Sequence, residues 1–278
     1  MRIISWNVRS GGGNRIERIV TSLGHRCPDI VALQEIRPAK VDDFRERLQQ
    51  IGLCFFADSF PRCGTSKLKA GRQNGELVAS RWPVEQLAST SFGIPWSEKV
   101  LSVRVGSPWG DVEIHNVHVP NGSEHGRTKV ETFEAIYRRL ACNARHHRLL
   151  CGDFNSPQDE MKTGELITWG QVMRENGQYA IPNRKWDGVS DERWDLAERS
   201  VLEGLRRYDL RDAYRMVNGY QKKAHSYVTK NRDKVTRRRF DHILASASLR
   251  VVECQYLLGL LRLSDHAPIE AVFKPSRQ

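Results

Sequence analysis

Three short apolar runs in this chain end on, or next to, a carboxylate or carboxamide. Residues 3–8 carry Asn7, residues 29–34 run directly into Glu35, and residues 148–153 close on Asp153. Runs this short, bounded by turn residues, fit buried strands better than buried helices. A polar side chain that terminates a strand can be presented in a cleft by a rigid scaffold. The chain is therefore constrained to a fold whose strand ends display these groups.

The remaining pattern supplies the other elements. A glycine turn at residues 11–13 is followed by Asn14 and, three residues on, Glu17, the pattern of a capping box. Ile16, Ile19, Val20 and Leu23 then recur at helical spacing, predicting a helix to about Arg26. Val41, Phe44, Leu48 and Ile51 mark a second helix. Strands are expected at residues 53–57, 76–80, 100–105 and 112–119. Residues 128 to about 145 read as an amphipathic helix through Val130, Phe133, Ile136, Tyr137 and Leu140. Residues 156–207 hold Trp169, Trp186 and Trp194 among polar residues, and read as an insertion with some helix lying over the core. Strands at 240–245, 250–255 and 269–273 complete the pattern. Strands in runs, with helices between them and no strict βαβ alternation, predict an α+β sandwich. Residues 1–278 are expected to form one domain.

Composition narrows the function. Lys plus Arg is 44 and Asp plus Glu is 33, a net charge of +11, with 39% hydrophobic residues. That balance fits a soluble globular chain and excludes a disordered one. No stretch approaches the roughly 20 apolar residues of a membrane span, and the N-terminal apolar run is too short for a signal peptide. A cytoplasmic monomer without a membrane partner is expected. The 6 cysteines are scattered without a C-x-x-C pair, which argues against a disulfide scaffold or a zinc site. The positive balance favours a polyanionic partner.

Six motifs then follow in order: Trp6-Asn7, Gln34-Glu35, His118-Val119-Pro120-Asn121, Gly152-Asp153-Phe154-Asn155, Phe240-Asp241-His242-Ile243 and Ser264-Asp265-His266. Taken singly, each reads as a solvated strand end, an Asx turn or a core histidine. As an ordered set they resemble the endonuclease/exonuclease/phosphatase superfamily. That superfamily includes exonuclease III-type enzymes, pancreatic-type deoxyribonuclease, inositol polyphosphate 5-phosphatases and neutral sphingomyelinases. The resemblance covers residues 2–273, with the insertion matched least. It implies a four-layer α/β/β/α sandwich of two packed mixed β-sheets flanked by helices, and metal-dependent hydrolysis of phosphodiesters.

The resemblance also implies roles. Glu35 and Asn7 would hold Mg²⁺ (or Mn²⁺), with Asp265 able to reach it. Asp153 would align or activate the attacking water. Asn155 would donate a hydrogen bond to a phosphate oxygen. His266 would contact the phosphate or act as general base, and Asp241 would orient its imidazole. Exonuclease III-type enzymes carry Tyr where His118 stands, whereas the deoxyribonuclease and sphingomyelinase branches carry His. There it would protonate the leaving oxygen or stabilise the pentacovalent phosphate. Asn121 would touch substrate. Departures from the abasic-site pattern at Arg9 and at Arg239-Phe240 argue against lesion specificity.

Substrate class rests on charge. Residues 230–239 (KNRDKVTRRR) hold six basic residues against one Asp and directly precede Asp241. Arg237, Arg238 and Arg239 are thus expected to meet a nucleic-acid backbone. Lys67, Lys69 and Arg72 form a second basic loop, and Trp186 and Trp194 are candidates for stacking on unpaired bases. The leading expectation is a nuclease acting on DNA, with RNA as a second substrate. The alternatives are a phosphatase or phosphodiesterase acting on a small or lipid ester, such as inositol phosphate or sphingomyelin, and a non-catalytic binding module.

Overall fold

The computed structural model describes residues 1–60, 73–87, 93–231 and 234–275. Lys67, Lys69 and Arg72 lie outside the described residues. The chain runs β1 (Arg2–Asn7), α1 (Ile16–Gly24), β2 (Ile30–Ile36), α2 (Val41–Gln50), β3 (Phe55–Asp58) and β4 (Gly75–Ser80). It continues through β5 (Val84–Gln86), β6 (Val100–Ser107), β7 (Gly110–His118), α3 (Gly126–Leu140), β8 (His147–Asp153) and α4 (Asp191–Leu202).

Strand alternation sorts the apolar residues into three packed interfaces, and three interfaces make four layers. Ile3, Ile30 and Ala32 from one sheet meet Leu101, Val103, Ile114 and Leu149 from the other. The next residue along each strand faces outward. Ile4, Val31 and Leu33 receive Ile19 and Leu23 of α1 and Phe44 and Leu48 of α2. Val117 and Leu150 receive Val130, Phe133 and Ile136 of α3 and Ala197 and Val201 of α4. This period-two division is what a strand buried on both faces requires.

The first sheet has the order Leu249–Tyr256, Ile269–Pro275, β1, β2, β4, β3. The second has the order Arg211–Asp212, Asp241–Ala245, β8, β7, β6, β5. Both sheets are mixed: β1 pairs parallel with β2, and β7 with β8, among antiparallel neighbours. The α+β four-layer expectation therefore holds.

Several boundaries differ from expectation, each for a physical reason. Asn14 does not cap a helix. Gly11, Gly12 and Gly13 all take left-handed φ (75°, 71° and 55°), a 3₁₀ turn Gly13–Arg15 follows, and α1 starts at Ile16 with no side-chain cap. α3 starts at Gly126 and stops at Leu140, where the buried face of the helix ends. The region 156–207 forms short two-residue hairpins and then α4. It contributes Trp194, Ala197 and Val201 to the outer apolar layer, where α4 packs over the core.

Candidate active site

The site is assembled by strand register. Asp153 at the end of β8 sits opposite His118 of β7 on one side and Asp241 on the other. Asn7 at the end of β1 sits beside Gln34 of β2. Two local backbone features set the aim of the carboxylates. Gly152 has φ 136°, and a Cβ there would stand 1.8 Å from the Val117 carbonyl oxygen of the parallel neighbour, so only glycine fits ahead of Asp153. Glu35 takes φ 61° where the β2–β4 register slips between Leu33 and Ile36. Such a bulge re-aims one side chain out of the strand's alternation.

Hydrogen bonds join the motifs. Asn7 Nδ2 donates to Glu35 Oε1 at 3.0 Å and to Asp153 Oδ2 at 2.9 Å, tying the two carboxylates together. Ser10 N–H donates to Glu35 Oε2 at 2.6 Å, and Asn155 N–H donates to Asp153 Oδ1 at 2.9 Å. The final motif is locked to the first: Ser264 Oγ donates to the Asn7 carbonyl at 2.8 Å, and Trp6 Nε1 donates to the His266 carbonyl at 2.8 Å. His266 Nδ1 meets Asp241 Oδ2 at 2.8 Å, while its Nε2 stands 3.6 Å from Asp153 Oδ2.

The two imidazoles occupy opposite charge states. Burial opposes a charge on His266, but Asp241 and Asp153 outweigh it and raise the pKa to about 10. His118 is pushed down to about 3, first by burial and then by the Lys99 ammonium. Lys99 Nζ lies 3.4 Å from His118 Nδ1. An ammonium only donates, so Nδ1 accepts and the ring proton sits on Nε2. That Nε2 faces Asp153 Oδ2 at 3.7 Å and Glu35 Oε1 at 4.0 Å. Burial, with the Asp241 charge adding to it, also raises the Asp153 pKa against the pull of His266 and His118.

Three contributors escaped the sequence reading. Lys99 is a single cation ahead of a strand, with no motif to mark it. Glu76 on β4 is fully buried and pushed well above the usual carboxylate range by desolvation, with Lys99 pulling the other way. The only sequence signal at Glu76 is an acid inside an apolar run. Lys129 of α3 is buried and donates to the Asn155 carbonyl at 2.6 Å, as Trp169 Nε1 does at 3.0 Å. Asn155 has φ 49° and also donates Nδ2 to the Val119 carbonyl at 2.9 Å. Its left-handed backbone is thus fixed from several sides.

One cavity of about 800 Å³ runs from Glu35, His118, Asp153, Asp265 and His266 outward past Asn121 to Arg238. Arg238 lies over the Trp169 ring at 5.7 Å. Arg237, one residue back on the same strand, is exposed and lines a different pocket.

Arg239 requires a correction: it is not placed to meet substrate. Its side chain is 4% exposed, gripping Glu160 through two 2.6 Å hydrogen bonds and Asp212 at 2.8 Å. Removing one partner of a buried ion pair costs about 3–5 kcal/mol, because the other charge stays buried and alone. Arg239→Met is therefore expected to lower the thermal midpoint by roughly 6 °C or more. Circular dichroism melts check this, and an unchanged midpoint would show the clamp to be dispensable.

The donor set fits a hard dication. Glu35, Asp153 and Asp265 offer carboxylate oxygens around one cleft, with Asp241 buried behind His266, an excess of negative charge over the His266 imidazolium. Asp153, Asp241 and His266 place ligand atoms within 4.8 Å of one another. The proton on His266 and its bond to Asp241 make that trio an ion cluster rather than a ligand set. Glu35, with its side chain 21% exposed, and Asp265, 31% exposed, are the accessible carboxylates. Asn7 presents its amide nitrogen to the carboxylates, its Oδ1 accepting from Arg9 N–H at 2.9 Å.

Solved structures share this fold. The AP endonuclease from Archaeoglobus fulgidus is 20% identical with TM-score 0.68, over 99% of each chain. D. rerio TDP2 complexed with single strand DNA product is 16% identical with TM-score 0.66, over 99% of this chain and 98% of that one. The Neisseria 3' phosphatase NExo bound to product DNA hairpin is 21% identical with TM-score 0.62, over 99% of each chain. No curated protein matches the sequence. The model of the Endonuclease/Exonuclease/phosphatase family matches residues 4–266. Since that match runs from β1 to His266 and takes in every strand end that builds the site, the chain belongs to the Endonuclease/Exonuclease/phosphatase family.

Proposed function

We propose that this chain is a divalent-metal-dependent nuclease that hydrolyses phosphodiester bonds of DNA. The observation that carries the reading is one cleft in which buried Asp153 lies between the His266 and His118 imidazoles, with Arg238 on the same cavity wall.

Charge states divide the labour. His266, an imidazolium at neutral pH, has no lone pair with which to act as general base. Its Nε2–H instead donates, with charge, to a non-bridging phosphate oxygen. His118, neutral with its proton on Nε2, gives a second, uncharged hydrogen bond. It is too weak a base to arrive protonated at the leaving oxygen. Asp153 is then the group that aligns the attacking water and takes its proton, a role suited by a raised pKa. Asn155 has a second amide hydrogen left to donate after Val119 takes the first. Glu35, Asp265 and, after a turn of its carboxamide, Asn7 would hold the Mg²⁺ or Mn²⁺. A bound dication supplies neutralisation of the phosphate charge and of the departing oxygen.

The substrate reading is supported by the exposed Arg237 and the cleft-lining Arg238 on one strand, and by the DNA found in two of the similar structures. Purified protein is expected to cut DNA in Mg²⁺, supplied both as supercoiled plasmid and as a single strand, and to stop in EDTA. Both DNAs left intact, with phosphate released from an inositol polyphosphate, would overturn the proposal in favour of a small-ester phosphatase. Charge reversal at Arg237 and Arg238 should weaken DNA binding and flatten the log–log salt slope by about 0.9 per lost phosphate contact. A slope unchanged from wild type would separate that strand from the DNA path.

A further inference from the structure

We infer that the outer part of the catalytic cavity is a single-strand subsite, in which an unpaired nucleobase stacks on Trp186 while a phosphate of the same strand meets Arg238. The inference rests on the nuclease reading and names the form of nucleic acid the site accepts.

Trp186 is built as a platform. It is 54% exposed, yet its ring is fixed rather than free. Its Nε1 donates to the Gly122 carbonyl at 3.2 Å. Its edge rests on Gly126, where an added Cβ would stand 2.6 Å from Trp186 Cδ1. The neighbouring Asp187 accepts from Arg127 N–H at 2.9 Å, fastening the same hairpin to the start of α3. A large aromatic face held in water by these contacts is preorganised for stacking.

Its place relative to the chemistry is also fixed. Gly122 follows His118 by four residues, so at most about 14 Å of extended chain separates them. Bases stacked about 3.4 Å apart put Trp186 within a few nucleotides of the reacting phosphate. Trp186, Arg238 and His118 all line the one cavity of about 800 Å³. Arg238 is placed for the anion: it covers the Trp169 ring, and its Nε is buried without a hydrogen-bond partner among the described residues. A concave space of this size suits a few unpaired nucleotides and not a duplex, whose paired bases hide their faces.

The test is binding in EDTA, so that it does not depend on turnover. Fluorescence anisotropy would compare a short oligothymidylate, an abasic phosphate chain of equal length, and a blunt duplex. The oligothymidylate is expected to bind about fivefold or more tighter than the abasic chain, the range of one base–aromatic stack. Trp186→Ala should abolish that difference, and Trp186→Phe, which keeps a ring and guards against misfolding, should retain most of it. Equal affinity for the abasic chain, tighter binding of the duplex, or an unchanged preference in Trp186→Ala would each overturn the subsite. Base-dependent binding together with single-stranded DNA left uncut in Mg²⁺ would support the subsite and remove the nuclease reading instead.

Discussion

Replacing Asp153 with Ala or Asn is expected to lower turnover about a thousandfold, within the range for loss of a positioned general base. The two variants fail for different reasons. Alanine removes the base. Asparagine keeps the shape, but the Asp153 Oδ2 position faces three donors: Asn7 Nδ2 at 2.9 Å, His266 Nε2 at 3.6 Å and His118 Nε2 at 3.7 Å. A carboxamide nitrogen turned that way meets donors with a donor. Turned the other way, it meets the Asn155 N–H. The fold should survive, because two opposing effects nearly cancel. Burial raises the Asp153 pKa, so its carboxylate destabilises the folded chain at any pH where it is ionised, and its removal relieves that. Asn7 and Asn155 in turn lose an acceptor, at about 1 kcal/mol each. A thermal midpoint within about 5 °C of wild type is expected for Asp153→Ala. Metal-dependent cleavage of plasmid and of single-stranded DNA, with circular dichroism melts, decides the matter, and near wild-type turnover in either variant would remove Asp153 from the chemistry.

What the sequence disclosed and what it hid divide along a physical line. Strand ends were legible, because a short apolar run closing on a carboxylate has few other readings. That logic reached Asn7, Glu35, Asp153 and Asp241, each of which stands at or beside a strand end in the structure. Side chains whose environment is set by distant chain were not legible. Arg238 and Arg239 look alike in sequence, yet alternation turns one into the cavity and the other into a buried clamp with Glu160 and Asp212. Trp186 and Trp194 share an insertion. Trp194 is 6% exposed and bonded to Glu198, while Trp186 faces water. Lys99 acts on His118 from the turn ahead of β6, and Lys129 acts on Asn155 from a helix. No spacing rule links residues that meet only through tertiary packing. Asn14 failed as a cap because three consecutive glycines offered the chain a different way into the helix.

Asp241→Asn is expected to lower turnover by two to four orders of magnitude and to leave a signature in stability that simple misfolding would not. Asp241 is fully buried, and its backbone is held apart from its carboxylate: Ser226 Oγ accepts from its N–H at 3.0 Å, and Tyr256 donates to its carbonyl at 2.7 Å. The exchange therefore removes charge with little displacement. Without that charge, only Asp153 and Asp265 oppose burial, and the His266 pKa is expected to fall far enough for the ring to be neutral at pH 7. The phosphate then faces a neutral ring in place of an imidazolium, a loss in the range of about 10²–10⁴. The sign for stability follows from the same shift. A histidine whose pKa rises to about 10 on folding contributes stability that is complete below its unfolded value near 6.5, and that is lost as pH climbs through about 10. In EDTA, which leaves the cleft in the charge state described here, the wild-type midpoint should fall from pH 7 to pH 10. The gap between wild type and Asp241→Asn should close over the same window, and taking the difference cancels other groups that titrate there. A gap that stays constant with pH would mean that His266 carries no extra proton, and the assignment of His266 as a charged phosphate contact would fail with it.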